Sequence, residues 1–265
     1  MRTTILATLL ATTLAAPAFA AVQITSADDV YQQDFDSLAT SGTANAWAND
    51  STLAGWSLFN AAGAAISSYR ADTGGSNAGS FYSFGASGSS ERALGGTGSG
   101  GSYFGSPASG NLAGWIAVAF DNATGSTLTG FSLAFDGEQW RNGGNTSEQS
   151  MALAYGLGAS FDSVTTWVSP GAGFDWTSPV TGSTAAAVDG NSAGLAAGVG
   201  GSVALDWAAG QTLWLRWAEV NDAGSDHGLA IDNLSFSVTA VPEPGTYALL
   251  LSGLLAIGSF VRRQR

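Results

Sequence analysis

Apolar side chains recur at every second position through most of this chain, and that period decides what it can fold into. Leu213, Leu215 and Trp217 alternate with Trp214, Arg216 and Ala218, and Phe131, Leu133 and Phe135 alternate with Ser132, Ala134 and Asp136. Met151, Leu153, Tyr155 and Leu157 alternate with Ala152, Ala154 and Gly156. Successive side chains of a strand point to opposite faces, so these runs read as strands with one face toward a core. The same reading applies to 56–60, 79–85, 115–121, 165–168, 202–206 and 228–238. Turns rich in glycine and serine separate the runs, and no repeat of solenoid length is present. The expected fold class is all-β: a two-sheet β-sandwich of jelly-roll type, with a signal helix before it and a transmembrane helix after it.

Two local patterns refine this. Within 228–238 the apolar parity is odd at Leu229 and Ile231, then even at Leu234, Phe236 and Val238. A slip of one residue implies a β-bulge near Asp232-Asn233. Gly95-Gly96-Thr97-Gly98-Ser99-Gly100-Gly101 lacks the Lys-Ser/Thr of a phosphate loop and reads as a flexible hairpin loop, within longer loops expected at 86–109, 142–147 and 174–200. Asp189-Gly190-Asn191 reads as a turn with positive φ at Gly190.

Composition removes several function classes. There is no cysteine, so disulfides and thiol catalysis are excluded. All eight basic residues are arginines, and residues 21–241 hold four of them against nineteen carboxylates. Such a surface repels nucleic acid and anionic lipid and suits divalent cations or neutral glycans. Nine tryptophans and thirteen phenylalanines require a packed core, so the low charge is not that of a disordered chain.

The two ends carry addresses. Arg2, the apolar run 5–16 and Ala18-Phe19-Ala20 form a signal peptide over 1–20, to be cut by signal peptidase. At the other end, 245–261 holds seventeen residues without a charge. As a helix it reaches roughly 25 Å, the short end of a bilayer span. Arg262, Arg263 and Arg265 follow directly and favour the cytoplasmic side, which places the body on the opposite side. The span is preceded by Pro242-Glu243-Pro244, whose prolines stop a helix from running upstream. Motif, span and arginine cluster together resemble the PEP-CTERM sorting signal of Gram-negative bacteria. That resemblance implies an exosortase as partner, membrane attachment through the C-terminal helix before processing, and release toward the cell surface or extracellular matrix. The expected organisation is a signal peptide at 1–20, a β-sandwich at 21–240 and a sorting tail at 241–265. The body is also loosely similar to the lectin-like domains joined to such tails.

Three places in the body have the residue types for chemistry. Asp136, Glu138 and Trp140 share one strand face, which suits a glycan: the ring stacks and the acids accept from hydroxyls. The same acids could also do acid–base work on a glycosidic bond, as Asp136 with Glu138 or Glu138 with Glu219. Second, Glu219, Asn221, Asp222, Asp226 and Asp232 crowd hard oxygen ligands around a glycine-containing turn and form a candidate Ca2+ site. The lone His227 and the absence of cysteine argue against zinc, and no Ser–His–Asp triad is assignable. Third, Arg92, Arg141 and Arg216 are expected to be structural arginines bonded to carboxylates.

The function these features point to is non-enzymatic: an exported surface or matrix protein whose β-sandwich contacts extracellular polysaccharide, holds Ca2+, or does both. A glycoside-active enzyme using a carboxylate pair is the second reading, weakened because the E-x-D-x-x-E pattern of retaining laminarinases is absent. A purely structural matrix subunit is the third.

Overall fold

The computed structural model describes residues 21–240. The expected signal peptide 1–20, the Pro242-Glu243-Pro244 motif, the span 245–261 and Arg262, Arg263 and Arg265 lie outside the described residues. The strands run in chain order as β1 Val22–Ile24, β2 Val30–Gln33, β3 Asn45–Ala46, β4 Trp56–Asn60, β5 Ser68–Asp72, β6 Ser80–Phe84, β7 Ala93–Thr97 and β8 Asn111–Asn122. They continue as β9 Leu128–Asn142, β10 Ser150–Met151, β11 Leu153–Leu157, β12 Trp176–Thr177, β13 Ala186–Ala187, β14 Leu195–Trp207, β15 Thr212–Asn221 and β16 Gly228–Ala240. Helix is confined, among the described residues, to three single 3-10 turns.

Two sheets carry the fold. The five-stranded sheet runs β1-β8-β15-β11, with β4 also on β8. The nine-stranded sheet runs β13-β9-β16-β7-β6-β5-β3, with β14 also on β9 and β2 also on β16. Their inner faces supply the alternating apolar residues, including Ile116, Val118, Phe120, Leu213, Leu215 and Trp217 from one sheet, and Phe131, Leu133, Phe135, Leu229, Ile231 and Phe236 from the other. Aromatic pairs bridge the gap: Phe120 stacks on Phe236 at 3.9 Å, and Phe135 meets the edge of Trp217 at 5.5 Å. This is the expected β-sandwich, with an apolar core between two layers that are antiparallel except where β1 pairs β8 and β5 pairs β6.

The parity slip is a real bulge. Register between β16 and β9 shifts between Asp232 and Ser235, and Asn233 takes φ 49°. The bulge also marks where β16 changes partner, since Gly228–Ile231 pair with β7 and Leu234–Ser237 pair with β2.

The glycine run is only in part a loop: 98–101 connect elements, but Gly95-Gly96-Thr97 belong to a strand. Ala93–Thr97 is a buried strand inside the nine-stranded sheet, and the glycines are there because neighbours come close. A Cβ on Gly95 would lie 2.1 Å from the Leu229 carbonyl oxygen, and one on Gly96 would lie 2.6 Å from Glu219 Oε2. Glycine in a strand often marks such close approach, which composition alone cannot separate from a linker. Residues 165–168 do not form a strand either: Val168 makes one isolated bridge with Tyr155. That segment instead helps to cover the outer face of the five-stranded sheet. There Trp214, on the side opposite Leu213 and Leu215, is buried with Phe59, Phe161 and Val164 in a second apolar cluster.

Candidate functional site

Glu138 and Trp140 project, as the alternation requires, from the outer face of the nine-stranded sheet, but that face is roofed at this end. Trp140 is 2 % exposed and packs with Tyr82, Phe84, Ala93 and Ala230. The ring of Phe84 lies parallel to it at 6.4 Å. Gly190 presses on the other side: a Cβ there would come within 2.4 Å of the indole. Close approach, not a positive φ, therefore explains the glycine at 190, which is absent from the positive-φ glycines. The Trp140 indole N–H donates to Glu138 Oε2 at 2.8 Å. The expected aromatic plate is thus an interior side chain with no face for a sugar. Asp136 is tied as well: its Oδ1 accepts from the Gly198 N–H at 2.8 Å and its Oδ2 from Asn233 Nδ2 at 3.1 Å.

The acids expected to hold Ca2+ around the 219–232 turn do not come together at metal-ligand spacing among the described residues. Glu219 continues the inward parity of Leu213, Leu215 and Trp217 and is buried against β7, where the Gly98 backbone N–H donates to it. Asn221 Nδ2 donates to the Pro107 carbonyl. Asp226 Oδ1 accepts from the Asp222 N–H. His227 accepts from the Gly143 N–H at Nδ1 and faces the Ser147 carbonyl at Nε2, which fixes the neutral tautomer and pins the 143–147 loop. Asp232, the last residue in register before the bulge, lies in another constellation.

That constellation is Glu91, Glu138 and Asp232, the one acidic group with metal-ligand spacing among the described residues. The three come from β9, β16 and the residue two before β7, which are neighbours in the sheet, and they share its outer face. One oxygen from each lies within 4.8 Å of the others. Glu138 and Asp232 are 0 % and 2 % exposed, and Glu91 is half-buried. Glu91 Oε1, Glu138 Oε1 and Asp232 Oδ1 are buried and accept no hydrogen bond. Their companions are engaged: Glu138 Oε2 by Trp140, and Glu91 Oε2 by Asn191 Nδ2 at 2.7 Å. Burial raises Glu138 to about 7 and Asp232 to about 8, with the neighbouring carboxylates adding to both. Sequence reasoning missed Glu91 because it lies far along the chain from the other two. The available signal was that 91, 93 and 95 share the parity of the outward side of β7.

The structural arginines do not pair with these acids. Arg92 donates to Ser83 Oγ and to the Ser83 and Asp72 carbonyls. Arg141 Nη1 donates to the Gly74 and Gly75 carbonyls at 3.1 and 3.0 Å. Arg216 lies between the rings of Trp115 and Trp167, 3.7 and 3.8 Å from their centroids. The expected carboxylate partners are replaced by peptide oxygens and ring faces. Gly74 and Gly75, just past the end of β5, have carbonyls outside any ladder, and buried carbonyls need donors; tryptophan faces attract a guanidinium.

Glu219 yields a prediction of its own. Burial holds its carboxyl well above the usual range, with Asp226 and Asp222 adding to the effect. The folded state therefore keeps a proton that the open chain releases, so stability falls as pH rises above the unfolded value of about 4.3. Glu219→Gln should melt a few degrees above the wild type at pH 8, with the gap closing toward pH 4.5. Melting curves at the two pH values check this, and a gap independent of pH contradicts it.

Beyond the bulge the same outer face opens. Gln32, Gln33, Asp34, Asn233 and Leu234 line a depression of about 340 Å3. Next to it, Ser132, Ala134, Gly200, Ser202, Ser235 and Ser237 help to line another of about 350 Å3. Register places Ser202, Ser132 and Ser237 in one row across β14, β9 and β16, and Gly200, Ala134, Ser235 and Gln32 in the adjacent row, which reaches β2.

Residues 240–265 match the PEP-CTERM protein-sorting motif. The chain therefore carries a PEP-CTERM tail: it is an exported protein, and the motif implies processing by an exosortase. No curated protein matches the chain. Among solved structures it is similar to the CBM22-1 xylan-binding domain from Paenibacillus barcinonensis Xyn10C, at 10% identity over 81% of this chain and 97% of that one, with a TM-score of 0.36. It is also similar to the N-terminal CBM22-1-CBM22-2 tandem domain of the same protein, at 8% identity over 63% of this chain and 40% of that one, with a TM-score of 0.34. These likenesses assign no ligand to this chain.

Proposed function

We propose that the exported body is a non-catalytic module that binds a neutral extracellular polysaccharide along the open outer face of its nine-stranded sheet. The observation that carries this reading is the lining of that face: Gln32, Ser132, Ser202, Ser235 and Ser237 on four neighbouring strands. Four strands at about 4.8 Å spacing give a track of roughly 15 Å. Hydroxyl and amide groups exchange hydrogen bonds with sugar hydroxyls without a charge to desolvate. The surplus of acids over arginines disfavours anionic polymers and nucleic acid. The non-catalytic reading rests on Glu138, which is closed off beneath Trp140, and on Asp136, which is held by Gly198 and Asn233. On this reading signal peptidase removes 1–20, the C-terminal helix holds the precursor in the membrane, and the processed protein works at the surface or in the matrix.

Affinity electrophoresis of the exported, tail-processed protein through neutral polysaccharides tests the proposal. Retardation by at least one polymer is expected. Ser235→Arg, which lays a long side chain across the track, should weaken binding about tenfold, or roughly 1.4 kcal/mol, with an unchanged melting temperature. Free migration through every neutral polymer overturns the reading and leaves the structural-subunit alternative.

A further inference from the structure

We propose that Glu91, Glu138 and Asp232 form a Ca2+ site that clamps three strands at the seam where β16 passes from β7 to β2. Carboxylates gathered on a surface are common and carry little information. Here Glu138 and Asp232 are essentially closed to solvent, each has an oxygen without a hydrogen-bond partner, and each brings a carboxylate oxygen within 4.8 Å of one from the other and one from Glu91. Buried polar atoms are almost always paired, and buried charges are paired or coordinate metals.

The nearby positive groups do not meet this need. Arg92 donates to Ser83 and the Asp72 carbonyl and Arg141 Nη1 to the Gly74 and Gly75 carbonyls, while Arg141 Nε stays without a partner, so neither guanidinium bonds the three acids. No donor reaches Glu91 Oε1, Glu138 Oε1 or Asp232 Oδ1, and ionised carboxylates offer one another only acceptors. A cation at their centre resolves all three at once. Two oxygens on opposite sides of one Ca2+ lie about 4.6–5.2 Å apart, given metal–oxygen distances of roughly 2.3–2.6 Å, whereas Mg2+ at about 2.0–2.1 Å requires closer packing. The three carboxylates each bring an oxygen within 4.8 Å of the others, so one ion can reach them all, and Mg2+, which dehydrates reluctantly and keeps several waters, suits a closed site less than Ca2+ does. The donors are all hard oxygens, without nitrogen or sulfur, which suits calcium over zinc.

The surroundings hold the ligands in place. Trp140 fixes Glu138 through Oε2, and Asn191 fixes Glu91 through Oε2, so each is left with its other oxygen free to bind the ion. The bulge sets Asp232 at the end of the β7-paired stretch, and half-buried Glu91 provides the route in from solvent. Burial also makes an uncompensated negative charge costly at Glu138 and Asp232, which a bound cation would relieve.

The test uses the exported protein, stripped with EDTA and titrated with CaCl2 in a calorimeter, with thermal melts in parallel. One Ca2+ per chain is expected, with a rise in melting temperature of about 5–10 °C when the ion is in hundredfold excess over its dissociation constant. Glu138→Gln keeps an acceptor for Trp140 and removes one ligand charge. It should fold in EDTA and lose most of the calcium shift, as should Glu91→Gln at the rim, where folding is least at risk. Asp222→Asn should keep the full shift. Absence of calcium binding by the wild-type protein, a full shift retained in both glutamine variants, or an equal shift from MgCl2 would each overturn the assignment.

Discussion

Gly95→Ala should lower the melting temperature by about 6–12 °C, although it adds a single methyl group to a glycine-rich run. A Cβ at this position would lie 2.1 Å from the Leu229 carbonyl oxygen and 2.6 Å from the Ala230 Cα. Both contacts are backbone of the adjoining strand β16, so no rotamer change relieves them. Overpacking of a close-packed interior costs about 1–3 kcal/mol and more where backbone must move. For a body of this size each kcal/mol is worth about 2–4 °C. Gly75→Ala provides the comparison: its nearest neighbour would be Asp72 Oδ1 at 3.9 Å, and its melting temperature should stay within a degree or so. Calorimetric melts of the two variants beside the wild type decide the matter. A Gly95→Ala melt equal to that of Gly75→Ala would show that 93–97 is not the packed strand described here.

Replacing Pro242, Glu243 and Pro244 together with alanine should abolish release of the protein, leaving chain that still carries its C-terminal tail in the membrane fraction. The PEP-CTERM match spans 240–265 and includes this motif. Two prolines fix φ and remove two N–H donors, which keeps the motif from joining the apolar run as one continuous helix. Alanine, the strongest helix former, removes that barrier along with the motif. Fractionation followed by intact-mass measurement reads the result. A variant released at the wild-type mass difference would mean that cleavage does not depend on Pro-Glu-Pro.

Much of the fold was legible because strand alternation is local. Leu213, Leu215 and Trp217 face inward as their parity required, β4 spans Trp56–Asn60 as read, and the slip between Ile231 and Leu234 placed a bulge near Asp232-Asn233, where the register shifts. The misreadings share one cause. Gly95 and Gly96 look like linker, and Trp140 looks like an exposed plate, because a sequence does not show what lies opposite a residue. Glycine serves equally where chain is free and where another backbone leaves no room. An outward tryptophan is a binding surface or a second small core, depending on whether a loop crosses it.

The binding chemistry followed the same division. The shared face of Asp136, Glu138 and Trp140 could be read from spacing, and so could the export address, since each depends on residues adjacent in the chain. The meeting of Glu91, Glu138 and Asp232 could not, because residues 91, 138 and 232 become neighbours only when β7, β9 and β16 align in one sheet. The sequence by itself therefore determined the all-β class, many of the strands with their inward faces, and the export signal. The tertiary structure alone decided which outward faces are roofed, which carboxylates converge and which stretch stays open, since these depend on contacts between segments that periodicity does not relate.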